Sequence, residues 1–199
     1  MKKWWLFAGL VLMTVSLSAC QDVRMFFKGF EQSFKGLEMT VRTYDEESQV
    51  IDQIDGKSVM IERDKKFDTT NGESTDKGDV IKVTIGGNEL HHVGSSMIIA
   101  EKGLENVFDA YTKKVDVTEM DRSIPILNSM LNEMKNSFTG KNKVILIRSQ
   151  NGTPLATYAG DSVSTYKTDV PKSTGILIDG KYLFVYRCDY TIYDRALLN

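Results

Sequence analysis

The chain is 199 residues long, 41% hydrophobic and 26% charged, with a formal net charge of −2 and 2 cysteines. That is enough apolar material for one folded domain. A mildly acidic balance with no basic stripe argues against nucleic acid as a partner.

The N-terminus reads in three zones. Met1, Lys2 and Lys3 form a basic start, Trp4 to Val15 an apolar run, and Leu17-Ser18-Ala19-Cys20 a small-residue close. The run is shorter than the roughly 20 residues a membrane-spanning helix needs, and the whole pattern is that of a signal peptide. Leu17 to Cys20 matches a lipobox, which predicts cleavage between Ala19 and Cys20 and a diacylglycerol thioether on Cys20. Two acyl chains anchor stably where one holds only marginally. Cleavage removes Lys2 and Lys3 and no acid, so the formal charge goes from −2 to −4. Acylation of Cys20 leaves Cys188 without an intrachain partner, so the domain is expected to stand without a disulfide. The expected location is the outer face of the cytoplasmic membrane, held there through the lipid.

Val23, Phe26, Phe27, Phe30 and Phe34 then fall at helical spacing with Arg24, Lys28 and Lys35 between them. This predicts an amphipathic segment over residues 20–36, packed on the domain or lying on the membrane. Residues 37–199 are read as one globular domain. From Leu37 the period becomes two, with Met39, Val41 and Thr43 on one face of a strand. Gln49 to Ile54 and Lys57 to Arg63 flank Asp55-Gly56, a hairpin signal. Phe67 to Gly78 reads as an exposed loop. Strands are expected over Asp79 to Ile85, Glu89 to Val93 and Ser96 to Ala100, with a turn at Gly86-Gly87-Asn88.

Leu104 to Tyr111 has the spacing of a short helix. A longer one starts near Ser123 and Pro125, carries Ile124, Leu127, Leu131, Met134 and Phe138 on one face, and ends at Gly140. Strands resume at Lys143 to Arg148, Pro154 to Ala159 and Ser162 to Lys167, around a turn at Asn151-Gly152. The last hairpin joins Gly175 to Ile178 with Lys181 to Tyr193 across Asp179-Gly180. The predicted class is α+β: mainly antiparallel sheet in two strand-rich regions, packed with one central amphipathic helix.

The run Gln49 to Asp64, with Ile85-Gly86-Gly87-Asn88-Glu89-Leu90 and His92-Val93-Gly94-Ser95-Ser96, resembles domain-of-unknown-function family 5052, a family of lipoproteins of Gram-positive bacteria. The resemblance covers roughly the whole mature domain. It implies the lipid anchor and supplies no activity, ligand or site residue.

Candidate chemistry is sparse. On a strand, Glu89 and His91 share one face and His92 takes the other. Glu89, His91 and His92 are the candidate ligand-binding residues, offering two metal ligands or a base with its orienter. A third and fourth ligand are missing, so no metal and no cofactor are expected. Ser95 and Ser96 lie near the histidines without a nucleophile elbow. The loop from Asp68 to Asp76 misses the spacing of a calcium loop, and Thr139-Gly140-Lys141-Asn142 lacks the rest of a phosphate loop. In the last strand, Phe184, Tyr186, Cys188, Tyr190 and Ile192 are expected on one face, with Cys188 a small buried hydrophobe. No catalytic set is assigned. The expected function is a non-enzymatic binding or accessory module for an envelope component or partner protein. The alternative is an envelope hydrolase or metal-dependent enzyme built on Glu89, His91 and His92. A two-lobed solute-binding protein fits poorly with so few, mostly β-forming residues. The sequence leaves the oligomeric state open.

Overall fold

The computed structural model describes residues 34–72, 74–115 and 124–198. The signal segment, Cys20, most of the aromatic stripe and Ser123 lie outside the described residues. Among the described residues, no helix is long and apolar enough to cross a membrane. The molecule is mostly antiparallel sheet.

The first three long strands form the centre. β1 (Phe34–Tyr44) pairs with β2 (Val50–Arg63) on one side and β7 (Ser96–Glu101) on the other. Between β2 and β7 run β3 (Thr69–Asn71), β4 (Ser74–Asp76), β5 (Ile81–Ile85) and β6 (Asn88–His92). Later come β8 (Lys143–Arg148), β9 (Pro154–Gly160), β10 (Val163–Lys167), β11 (Ser173–Ile178), β12 (Lys181–Tyr186) and β13 (Asp189–Asp194). One sheet has the order β10-β11-β12-β7-β1-β2-β5-β6, a second is β13-β8-β9, and β3-β4 is a separate hairpin. The stretch expected as loop from Phe67 to Gly78 thus contains a small exposed hairpin.

Alternation along β1 sorts the core. Met39 and Val41 join Val59, Ile81, Val83, Met97, Ile99, Phe184 and Tyr186 on one face of the large sheet. That sheet curls around this cluster: the Tyr186 hydroxyl donates to the Asp79 carbonyl at 2.6 Å, and the His92 ring meets Tyr186 edge-on at 5.8 Å. The opposite face, with Tyr44, Ile98, Leu183 and Val185, packs on Ile145, Ile147 and Tyr158 of the small sheet. The far side of the small sheet, with Val144 and Leu146, receives the helices. The order is sheet, sheet, helices.

Among the described residues, α-helix is spread over three short segments: α1 (Val107–Thr112), α2 (Ile124–Glu133) and α3 (Lys135–Phe138). The expected single helix breaks at Met134, whose backbone leaves the helical region at ψ 38. Leu127, Met134 and Phe138 are buried as expected, joined by Ile126 and Met130.

Three strand expectations need correction. Phe34, placed by its spacing in an amphipathic helix, begins β1 and lies buried against Tyr182. Asp55-Gly56 is no turn: β2 runs straight through it, with Gly56 opposite Met39 and Asp55 opposite Thr40. A Cβ on Gly56 would stand 2.2 Å from the Ile85 methyl, so glycine serves close approach there. The identical dipeptide Asp179-Gly180 does turn, with φ values of 48° and 81° that suit a two-residue hairpin. Finally, the strand expected from Lys181 to Tyr193 is two strands. Arg187, at φ 50°, sends β12 into the large sheet and β13 into the small one, so the single tyrosine-lined face does not form.

Candidate functional site

The histidine segment comes first because its residues carried the sequence expectation. On β6, Leu90 and His92 turn toward the core while Glu89 and His91 stay exposed. His91 Nδ1 lies 3.2 Å from the carboxylate of buried Asp64. Its Nε2 faces Glu89 at 3.8 Å. His92 Nε2 donates to the Ser95 carbonyl at 2.9 Å. The Ser96 hydroxyl donates to the Arg187 carbonyl at 2.7 Å, away from either imidazole. The His91 imidazole thus stands between two carboxylates, Asp64 at Nδ1 and Glu89 at Nε2. Among the described residues, no three His, Cys, Asp or Glu side chains are grouped to hold a metal ion.

A different set of residues converges where the two sheets part. A cleft of about 170 Å³ lies between β1, β7, α1 and β9, lined among others by Thr40, Arg42, Tyr44, Ile98, Asp109 and Tyr158. Each arrives for a local reason. Arg42 sits on β1 opposite Gln53 of β2, and its Nε donates to the Gln53 side chain at 2.9 Å. Its Nη1 forms a short ion pair with Asp109. Asn106 caps α1, accepting from the Phe108 amide at 3.2 Å and the Thr157 amide at 2.9 Å, while its Nδ2 donates to Asp109 at 2.8 Å. One side chain thus ties the helix start to β9 and aims Asp109 at Arg42.

Burial works against charge on Arg42, but the hydrogen bond and Coulombic attraction of Asp109, with a smaller contribution from Tyr44, outweigh it and hold the guanidinium above its ordinary pKa. Burial pushes the Tyr44 phenol up to about 12, and it also raises Tyr158. Both hydroxyls stay protonated at neutral pH and can donate. The rim charges are matched as well: Lys102 pairs with Glu38 at 2.9 Å and Lys181 with Glu101 at 3.6 Å. The cleft therefore offers many hydrogen-bonding groups and no uncompensated charge. Beyond Gly103 and Leu104, which both clefts share, lies a second one of about 230 Å³ bordered by Glu105, Ser137, Lys141 and Asp179.

The family model of Domain of unknown function (DUF5052) matches residues 2–198. The chain belongs to the DUF5052 family. Neither the curated proteins nor the solved structures give a match. This DUF5052 chain keeps its convergent polar residues in the cleft, and sequence reasoning passed over all of them. Arg42 and Asp109 are 67 positions apart, and pattern reading places Arg42 only on the polar side of β1. The one available signal was Asn106 followed three residues on by Asp109, the spacing of a helix cap with an acid in the first turn.

Proposed function

We propose that this DUF5052 chain is an exported lipoprotein, anchored through Cys20 on the outer face of the cytoplasmic membrane, that acts as a non-enzymatic binding module for an envelope component. Residues 1–19 would be its signal peptide. The cleft is its binding site, and the preferred ligand is a neutral, polyhydroxylated unit such as a sugar residue.

One observation supports this reading above the others. Two tyrosines, an amide and a matched guanidinium–carboxylate pair line the cleft together with Ile98, Ala100 and Leu104. Fixed hydrogen-bonding groups beside small apolar patches suit a ligand that itself alternates hydroxyls with C–H faces. Matched charge disfavours an ionic ligand, because binding one would leave Arg42 or Asp109 unpaired in a partly desolvated place. At about 170 Å³ the cleft has room for roughly five or six waters' worth of ligand, which limits it to one small unit.

The test is titration of the detergent-solubilised full chain with N-acetylglucosamine and its dimer, followed by NMR. Shifts should concentrate on Asn106, Asp109 and Tyr44, and Asp109→Asn should weaken binding about tenfold. Shifts scattered over the surface, or indifference to Asp109→Asn, would remove the cleft from the proposal. The anchor is tested separately: Cys20→Ala should abolish lipid labelling and membrane retention of the processed chain. A second reading rests on the Asp64–His91 pair, an oriented base for an envelope hydrolase. It requires that His91→Ala abolish a hydrolytic activity on envelope material that Tyr44→Phe leaves intact.

A further inference from the structure

The long strand β2 is covered on its outer side for only part of its length. β5 pairs with Val59 to Arg63 and stops there, because the β5–β6 turn begins at Gly86. From Val50 to Asp55 the inner side is paired with β1, while no strand among the described residues pairs with the outer side. In an antiparallel ladder every second residue turns its N–H and C=O outward, so this edge presents unmet backbone groups. Natural edges of this kind are usually short, bulged or covered. This one runs for six residues with a single irregularity, at Ile51, which the register skips between Val50 and Asp52, and no strand among the described residues covers it. It also carries three of the six large apolar side chains that stand exposed among the described residues: Val50 at 46%, Ile51 at 56% and Ile54 at 37%.

Charge tells which strand would fit. Between Asp45 and Gly56 the sequence places Asp45, Glu46, Glu47, Asp52 and Asp55, and no Lys or Arg. The nearest cations are already engaged, Arg42 by Asp109 and Lys57 by Glu38. The Thr43 and Thr40 hydroxyls of β1 donate to the Asp52 and Asp55 carboxylates, at 2.8 and 2.5 Å, and both acidic residues stay exposed. By register, Asp52 and Ile54 share the face of Thr43 and Val41, while Val50 and Asp55 share that of Tyr44 and Thr40, so each face mixes apolar and acidic positions. A second copy of β2 would bring like charges together across the pair, which is unfavourable.

We infer that the Val50–Asp55 edge of β2 is a strand-addition site for a basic extended peptide segment of a partner protein. Main-chain hydrogen bonds to the open edge supply the affinity, and the carboxylates select a cationic strand over an acidic one. The surface is distinct from the sugar-sized cleft and stands whether or not that reading holds.

The experiment uses the full chain in detergent and an acetylated, amidated Lys-Lys-Val-Val-Lys-Lys-Val peptide. Amide hydrogen exchange should show alternate residues of 50–55 protected at least tenfold by the peptide. A control peptide with Glu in place of Lys should give no protection, and about 0.5 M salt should abolish binding to the unaltered protein, since exposed charges are then screened. Asp52→Asn with Asp55→Asn keeps the hydrogen bonds to Thr43 and Thr40 and should weaken binding at least tenfold. Equal binding of the Glu peptide would overturn the inference. So would cationic binding that leaves residues 50–55 unprotected, or protection that appears with rising protein concentration and no peptide.

Discussion

Gly56 offers the sharpest check on the strand layout. If Asp55-Gly56 were a two-residue turn, Gly56→Ala would cost about 1 kcal/mol for an alanine held at positive φ, independent of distant side chains. In the continuous strand its φ is not positive, and the added methyl would lie 2.2 Å from the Ile85 Cγ2. Ile85 is β-branched and stiff about χ1, so it cannot simply swing aside. Overpacking of this kind costs about 1–3 kcal/mol. Ile85→Ala alone removes a partly buried side chain and costs about 1–2 kcal/mol, below the range for a fully buried site. The double variant lets the new methyl occupy the vacated space, so its loss should fall short of the sum by at least about 1 kcal/mol. Urea unfolding of all four proteins measures this through the midpoints at constant slope. Additivity within about 0.5 kcal/mol, the behaviour of independent sites, would refute the strand assignment and restore the turn.

Other outcomes follow from the charges and the thiol. Side-chain hydrogen bonds from Lys102 and then Lys57 hold the Glu38 carboxyl down from 4.5 to about 2. A depressed carboxylate stabilises the fold above its ordinary pKa, so this contribution should be full above pH 4.5 and disappear as pH falls toward 2. Carbon-detected NMR of Glu38 should give a midpoint near 2, moving up toward the ordinary value at about 1 M salt; an ordinary midpoint at low salt would disprove the pairing. Burial pushes the Cys188 thiol up to about 12, and its sulfur contacts the Tyr186 and Met97 carbonyls at 3.3 and 3.7 Å. A thiol-reactive probe at pH 8 should therefore label Cys188 only on unfolding. Rapid labelling of the native protein would contradict that placement. Phe138→Ala, at a fully buried position beneath the helices, should cost about 3–5 kcal/mol in the same urea assay.

How far the sequence anticipated the molecule depended on punctuation. β8 was legible to the residue, because four consecutive apolar positions run between polar flanks and turn signals. Asp179-Gly180 was legible as a turn because it lies between short apolar runs that can pair with one another, and Gly86-Gly87 because two adjacent glycines end the alternating run from Ile81 to Ile85. Asp55-Gly56 has the same chemistry, and what decides it is Ile85, which arrives from 29 positions later, too far for local reading. The alternation that puts Glu89 and His91 on one side of β6 and His92 on the other is a property of any strand. Asp64, which orients His91, comes from another element and left no local mark. The cleft was less legible still. Its groups belong to β1, α1 and β9, and only the Asn106 cap is written in neighbouring residues.

Arg187 is where the fold departs from its sequence pattern. A non-glycine residue at φ 50° is held there against about 1–2 kcal/mol of backbone preference. The holding contacts are specific: the Arg187 amide donates to the Lys172 carbonyl at 2.8 Å, and its carbonyl accepts from buried Ser96 at 2.7 Å. The guanidinium adds an ion pair to Asp79 at 3.6 Å. These contacts divert the chain from the large sheet into the small one, and the gap between the sheets beyond Tyr44 and Tyr158 is the cleft. Arg187→Ala loses the ion pair and keeps the strained backbone, whereas Arg187→Gly loses the same side chain and relieves the strain. Glycine is ordinarily worse than alanine in a strand by roughly 0.5–1 kcal/mol. Here the order should reverse, with the glycine variant more stable by about 1 kcal/mol in urea unfolding. If alanine proves equal or better, residue 187 does not occupy the left-handed region, and the division of the C-terminal segment between two sheets loses its physical cause.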